Sequence, residues 1–98
     1  MALVDFHTVA AGLPVTWEST LLGVAGGSRI KVLRMDAGCY PEEVHDCNEA
    51  LIVISGKLML QVDGKVIEVG EGQMYLAQAG VAHAVVSGSH GTLVIVDA

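Results

Sequence analysis

The sequence predicts an all-β domain, closed into a small barrel or folded as two packed sheets. Short runs rich in Val, Ile and Leu recur between turn signals, and no window sustains a 3.6-residue period. Twelve glycines leave few long uninterrupted segments. Eight or nine short antiparallel strands are too many for one open sheet, so they curl or pack face to face. A barrel of this size either fills its interior with side chains or keeps a pocket for a small ligand.

Residues 15–23 read as the first strand and carry Trp17. Ala25-Gly26-Gly27-Ser28 is a turn, and residues 29–36 form a second strand. Gly38 to Pro41 bends the chain, residues 42–46 make a short strand, and Asp46-Cys47-Asn48 turns it again. Residues 50–55 are almost wholly apolar, as in a strand buried on both faces or partly covered in a dimer. Gly56-Lys57 reads as a tight turn into residues 58–62. Asp63-Gly64 is a two-residue hairpin signal, because both positions tolerate positive φ. Residues 65–69 return, Gly70-Glu71-Gly72 breaks the chain, and 73–77, 82–87 and 92–97 complete the set. Met59 and Gln61 share a face opposite Leu58, Leu60 and Val62. Gln61 is exposed if the leucines face the core, and a polar pocket group if the register is reversed.

Ninety-eight residues supply one core and would starve two. Residues 1–98 therefore read as one domain, with 1–14 an N-terminal extension or dimer arm and 28–97 the barrel. An apolar fraction of 52% suggests apolar surface that a second subunit covers, so a homodimer is expected. The net charge of −6 with five basic residues excludes a phosphate-tracking stripe for nucleic acid and disfavours an anionic membrane surface. No apolar run approaches the roughly 20 residues of a transmembrane helix. No basic residue precedes the N-terminal apolar stretch, which does not resemble a signal peptide. A cytoplasmic protein is expected, with Cys39 and Cys47 as reduced thiols.

The chemistry lies in two histidine-bearing segments. Glu43 and His45 are two residues apart and share a strand face. Glu49 opens the next strand after a short turn. His83 lies on a later strand, on one face with Val81, Val85 and Ser87. If the barrel joins these strands, two imidazoles and two carboxylates converge inside it. Imidazole nitrogen suits Zn, Fe or Ni, and carboxylate oxygen shifts the preference toward Mn or Fe(II). Two histidines and a carboxylate, with open positions, form the ligand set of many oxygen-activating iron sites.

Taken together, the two segments resemble the paired motifs of the cupins. The first runs Pro41, one residue, Glu43, one residue, His45, three residues, Glu49, six residues, Gly56. The second places Gly72, Gln78, Gly80, His83 and Ser87 at that motif's positions. The resemblance covers about residues 28–97. It implies a jelly-roll β-barrel (a double-stranded β-helix), commonly dimeric, in a family that includes dioxygenases, isomerases and decarboxylase-like enzymes. His45, Glu49 and His83 carry over directly as metal ligands. Glu43 stands where the family has its first metal-binding histidine, Gln78 where it has proline, and Ser87 where it has asparagine.

The resulting expectation is a divalent metal ion (Fe, Mn, Zn or Ni) held by His45, Glu49 and His83. Glu43 would be a fourth ligand or a catalytic general base. The barrel would bind a small organic ligand, anionic or oxygen-rich, as a metal-dependent dioxygenase or isomerase. The alternative is a non-catalytic small-molecule binding or sensor module, with or without metal. The plain alternative for Glu43 is a solvated strand residue beside Glu42. Cys47 reads as a packed or half-exposed thiol, and His7 and His90 as surface residues. Trp17 and Tyr40 are aromatics near candidate barrel ends, where core or dimer packing is the simpler reading and a ligand mouth the other.

Overall fold

Apolar alternation along the chain becomes a single curled antiparallel sheet in the computed structural model, which describes residues 3–98. Helix α1 (Phe6–Ala11) precedes β1 (Thr20–Ala25), β2 (Ser28–Met35), β3 (Tyr40–Glu43), β4 (Glu49–Val62), β5 (Lys65–Gly70), β6 (Met74–Ala77), β7 (His83–Val85) and β8 (His90–Asp97). The order across the sheet is β1-β2-β8-β4-β7-β3, and β5 and β6 also pair with β4. The long β4 organises the fold. Its first half pairs with β6 and β8, and its second half with β5 and β7.

Leu33, Leu51, Val53, Leu58, Leu60, Leu93 and Ile95 point into the curl and form the main core with four further buried residues. Leu58, Leu60 and Val62 face inward and Gln61 is exposed, so the first of the two registers holds. Asp63 and Gly64 have φ of 51° and 74°, the positive pair that a tight hairpin between β4 and β5 requires.

The strand expected at 42–46 lies instead at β3 (Tyr40–Glu43), taking in part of the expected bend and ending before His45. Three further elements differ from the expectation. Gly56 does not end a strand: β4 runs through it with a register shift between Val53 and Ser55. Gly56 and Gly91 are paired across β4 and β8, with φ of +78° and +100°. A Cβ on Gly56 would lie 2.0 Å from the His90 carbonyl oxygen, and one on Gly91 2.0 Å from that of Ser55. The two glycines therefore let the strands kink where they touch.

The first strand begins only at Thr20, because Trp17 has φ of 64°. α1 is the third difference. Asp5 caps it by accepting from the Thr8 amide at 3.1 Å. A helix this short is not stable alone, and tertiary packing holds it. Ala10 is buried with Val32 and Val94 on the outer face of β2 and β8, beside the partly buried Phe6, Val9, Ile52 and Ile54. The apolar run at 50–55 is thus partly covered on its second face within this chain, with Ile52 and Ile54 half-buried.

At the far end of β8, Asp97 is buried and accepts from Arg29 at 2.9 Å and Lys31 at 2.7 Å. Burial raises its pKa, but hydrogen bonding and charge from Lys31 and then Arg29 outweigh that and hold the carboxyl below its usual range. No helix among the described residues is long and apolar enough to cross a membrane.

Candidate metal centre and cavity

Strand register brings the two histidine segments together. β3 pairs with β7 so that Glu43 lies opposite His83, with side chains on one face. Two residues on, His45 has left β3, and its position is fixed by backbone. Its carbonyl accepts from the Gly80 amide at 2.9 Å, and the Asn48 side-chain oxygen accepts from the Ala79 amide at 2.8 Å. These two bonds tie the loop carrying His45 to the turn just before His83. Gly80 enters that turn at φ +79°, which suits glycine.

One donor atom from each of Glu43, His45 and His83 lies within 4.8 Å of the others. The two imidazole centroids are 5.6 Å apart, tilted by 38°. The group grades from solvent to interior. Side-chain exposure is 61% at Glu43 and 37% at His45, while His83 is 7% exposed. His45 Nε2 lies 3.3 Å from Glu43 Oε2, close in distance yet not aligned as a hydrogen bond. Both His45 Nε2 and His83 Nδ1 are buried without a hydrogen-bond partner. Leaving a buried polar group unpaired costs about 1–3 kcal/mol. Two imidazoles and a carboxylate are a donor set for a divalent transition metal, and a cation would take up the unused lone pairs. The residues present fit such an ion.

Glu49 is not in that group. It is half-buried at the start of β4 and lines the adjoining cavity. This cavity has a volume of about 180 Å³ and shares Glu43 and His83 with the donor group. Its walls are mainly apolar, with Leu33, Leu51, Leu58, Leu60, Leu93 and Ile95 prominent. Trp17 and Tyr40 also line it, their ring centroids 5.0 Å apart. Asp36 sets Trp17 in place, accepting from the Thr16 hydroxyl at 2.6 Å, the Trp17 indole at 2.8 Å and the Gly38 amide at 2.9 Å. Those donors, Thr16 first, hold the Asp36 carboxyl below its usual range.

Of the four expected site residues, Glu43, His45 and His83 meet as potential ligands, and Glu49 shares the cavity. Cys39 is exposed and Cys47 half-buried, both free thiols outside the group. His7, His90 and Ser87 are exposed. Sequence reasoning gave no role to Asn48 and Asp36. Asn48 carried a signal, since Asn in a turn often bonds nearby backbone. Asp36 carried none, because its bonds to Thr16 and Trp17 cross from a separate segment.

A curled antiparallel sheet with a histidine and two carboxylates lining its cavity, and a second histidine at the rim, is a cupin architecture. The Cupin_2 family of cupin domains matches residues 32–98, and the chain belongs to it. Solved structures share the fold over nearly the whole chain. A cupin-2 domain containing protein from Shewanella frigidimarina superposes with a TM-score of 0.86 at 20% identity, covering 97% of this chain and 93% of the other. Protein NMB1881 from Neisseria meningitidis gives 0.83 at 19% identity, covering 97% of each. Hydroquinone 1,2-dioxygenase from Sphingomonas sp., solved with 4-hydroxybenzoate bound, gives 0.82 at 14% identity, covering 98% of this chain and 73% of that one. No curated protein matches the chain.

Proposed function

We propose that this cupin binds a divalent metal ion through Glu43, His45 and His83 and acts on a small organic molecule in the adjoining cavity. The observation that carries the reading is the pair of buried, unpartnered imidazole nitrogens beside the Glu43 carboxylate. Three protein ligands leave positions open for a substrate. A bound ion would supply Lewis acidity toward a substrate oxygen or activate dioxygen. The likeness to a hydroquinone dioxygenase agrees with that chemistry, and iron or manganese suits the donor set best among Fe, Mn, Zn and Ni.

In this reading the two glutamates divide their work. Glu43 faces His83 across the β3–β7 pair and serves as a ligand. Glu49 lines the cavity outside the ligand group and holds or takes a proton at its carboxylate. Trp17 and Tyr40 contact the bound molecule and exclude water from it. The same reading makes the protein a cytoplasmic homodimer, with Leu21 and Val24, exposed on the edge strand β1, as apolar surface for a second copy.

Metal analysis tests the centre. Purified protein should take up about one equivalent of a divalent ion, His45→Ala and His83→Ala should take up little, and Glu49→Gln should keep most of it. Less than about a tenth of an equivalent in every variant, wild type included, would refute the reading. Oxygen consumption with small diols then separates turnover from binding alone.

A further inference from the structure

We propose that the metal-free cavity selects a neutral, largely apolar molecule of single-ring size and rejects carboxylates and phosphates of the same size. The proposal rests on the cavity of the reading above but not on its metal.

The first observation is where the positive charges are. The chain has five basic residues, and none lines the cavity. Arg29 and Lys31 are both held by Asp97. The Arg34 guanidinium donates to the Leu13 carbonyl at 3.0 Å. Lys57 lies 3.7 Å from Glu68, and Lys65 is exposed at the start of β5.

The cavity lining does hold two carboxylates, Glu43 and Glu49. Without metal, an entering anion meets two like charges. With a divalent ion at the centre, an open coordination position takes a carboxylate oxygen directly, so the discrimination belongs to the metal-free cavity. That state offers no positive charge to replace the water that an anion gives up, and burying an unpaired charge is strongly unfavourable.

The walls and the volume point to the complementary ligand. Six leucine and isoleucine side chains reward apolar contact, and the Trp17–Tyr40 pair offers aromatic surface. A cavity of about 150 Å³ lined by such residues admits benzene. The 180 Å³ here takes one ring and a small polar substituent, which Glu49 or His83 can meet. In the metal-free cavity the anionic class of ligand left open by the sequence is therefore disfavoured, and the neutral oxygen-bearing class is kept.

Benzamide and benzoate make the test, being nearly identical in shape and different in charge. Trp17 is the only tryptophan and lines the cavity, so its fluorescence reports occupancy. Both probes are titrated at about pH 8, where an ordinary imidazole is neutral, into chelator-treated and metal-loaded protein. Benzamide should bind at least about tenfold more tightly than benzoate in the chelator-treated protein. Glu49→Gln should shrink that ratio several-fold. Val85→Phe, which fills the cavity, should weaken benzamide binding, with circular dichroism checking that the fold is kept.

Benzoate binding as tightly as benzamide in the chelator-treated protein would overturn the proposal. So would the absence of benzamide binding at millimolar concentration, or an unchanged ratio in Glu49→Gln. Metal uptake is measured on the same samples. Preference intact with no metal taken up on loading would refute the metal centre alone, and metal taken up on loading with no preference in the chelator-treated protein would refute this proposal alone.

Discussion

The β2–β8–β4 ladder and the β3–β7 flank are built to opposite standards. In the ladder, seven consecutive pairs join β2 to β8. Its apolar side chains are covered on the inner face by the core and partly on the outer face by α1, which packs on β2 and β8. Its buried carboxylate, Asp97, has two cationic partners. The flank is four residues of β3 against three of β7, with an irregular register and all of β3 exposed. Two imidazole nitrogens on or beside it have no hydrogen-bond partner. The ladder carries the stability with one unpartnered buried atom, Arg34 Nε, while the flank leaves two imidazole nitrogens unsatisfied beside a carboxylate, in a geometry that suits a cation. Proteins accept such local cost where a site is needed and a rigid scaffold stands beside it.

The largest way to break this contrast is in the ladder and its core. Leu60 is fully buried, and Leu60→Ala should cost about 2–5 kcal/mol in urea unfolding. A loss below about 1 kcal/mol would mean that the core repacks freely around the cavity.

Asp97→Asn should cost less, about 1–2 kcal/mol at neutral pH, since Arg29 is half exposed and solvent screens its charge. The Asp97 pKa is lowered on folding. Its contribution is therefore present above the unfolded carboxyl pKa near 3.9 and fades as pH falls through the lower folded value. The gap between wild type and Asp97→Asn should begin to close below about pH 4 and vanish only below the depressed folded pKa of Asp97. A gap that persists undiminished into acid would contradict the linkage.

The smallest expected effect on stability is at the flank. Asn48→Ala removes the bond to the Ala79 amide and should change unfolding free energy by about 1 kcal/mol or less. It should nevertheless weaken metal binding about tenfold by freeing the His45 loop. Equal metal affinity in the variant would show that the carbonyl of His45, bonded to Gly80, positions the loop unaided.

Much of this contrast is legible in the sequence. Alternation around Leu58, Leu60 and Val62 and the Asp63-Gly64 hairpin place the sheet, and the two histidine segments point to the flank where Glu43, His45 and His83 meet. The rest needed contacts between distant residues. Gly56 reads as a turn because a turn and a kink both ask for positive φ, and only its pairing with Gly91 separates them. α1 is too short for a periodic pattern and is held by tertiary packing. Strand parity aims both Glu43 and Glu49 inward, and only the β3–β7 register shows that Glu43, opposite His83, meets the two histidines while Glu49 does not.

The most direct test compares unfolding free energies of wild type and His83→Leu, in chelator and in saturating metal. Leucine is apolar and similar in size, so it removes an unpartnered buried nitrogen without emptying the site. In chelator, His83→Leu should match or exceed wild type. A metal at a hundredfold excess over its dissociation constant should then stabilise wild type by about 2.7 kcal/mol and leave His83→Leu unmoved. A large loss of stability in His83→Leu without metal, or equal stabilisation of both proteins by metal, would contradict the account.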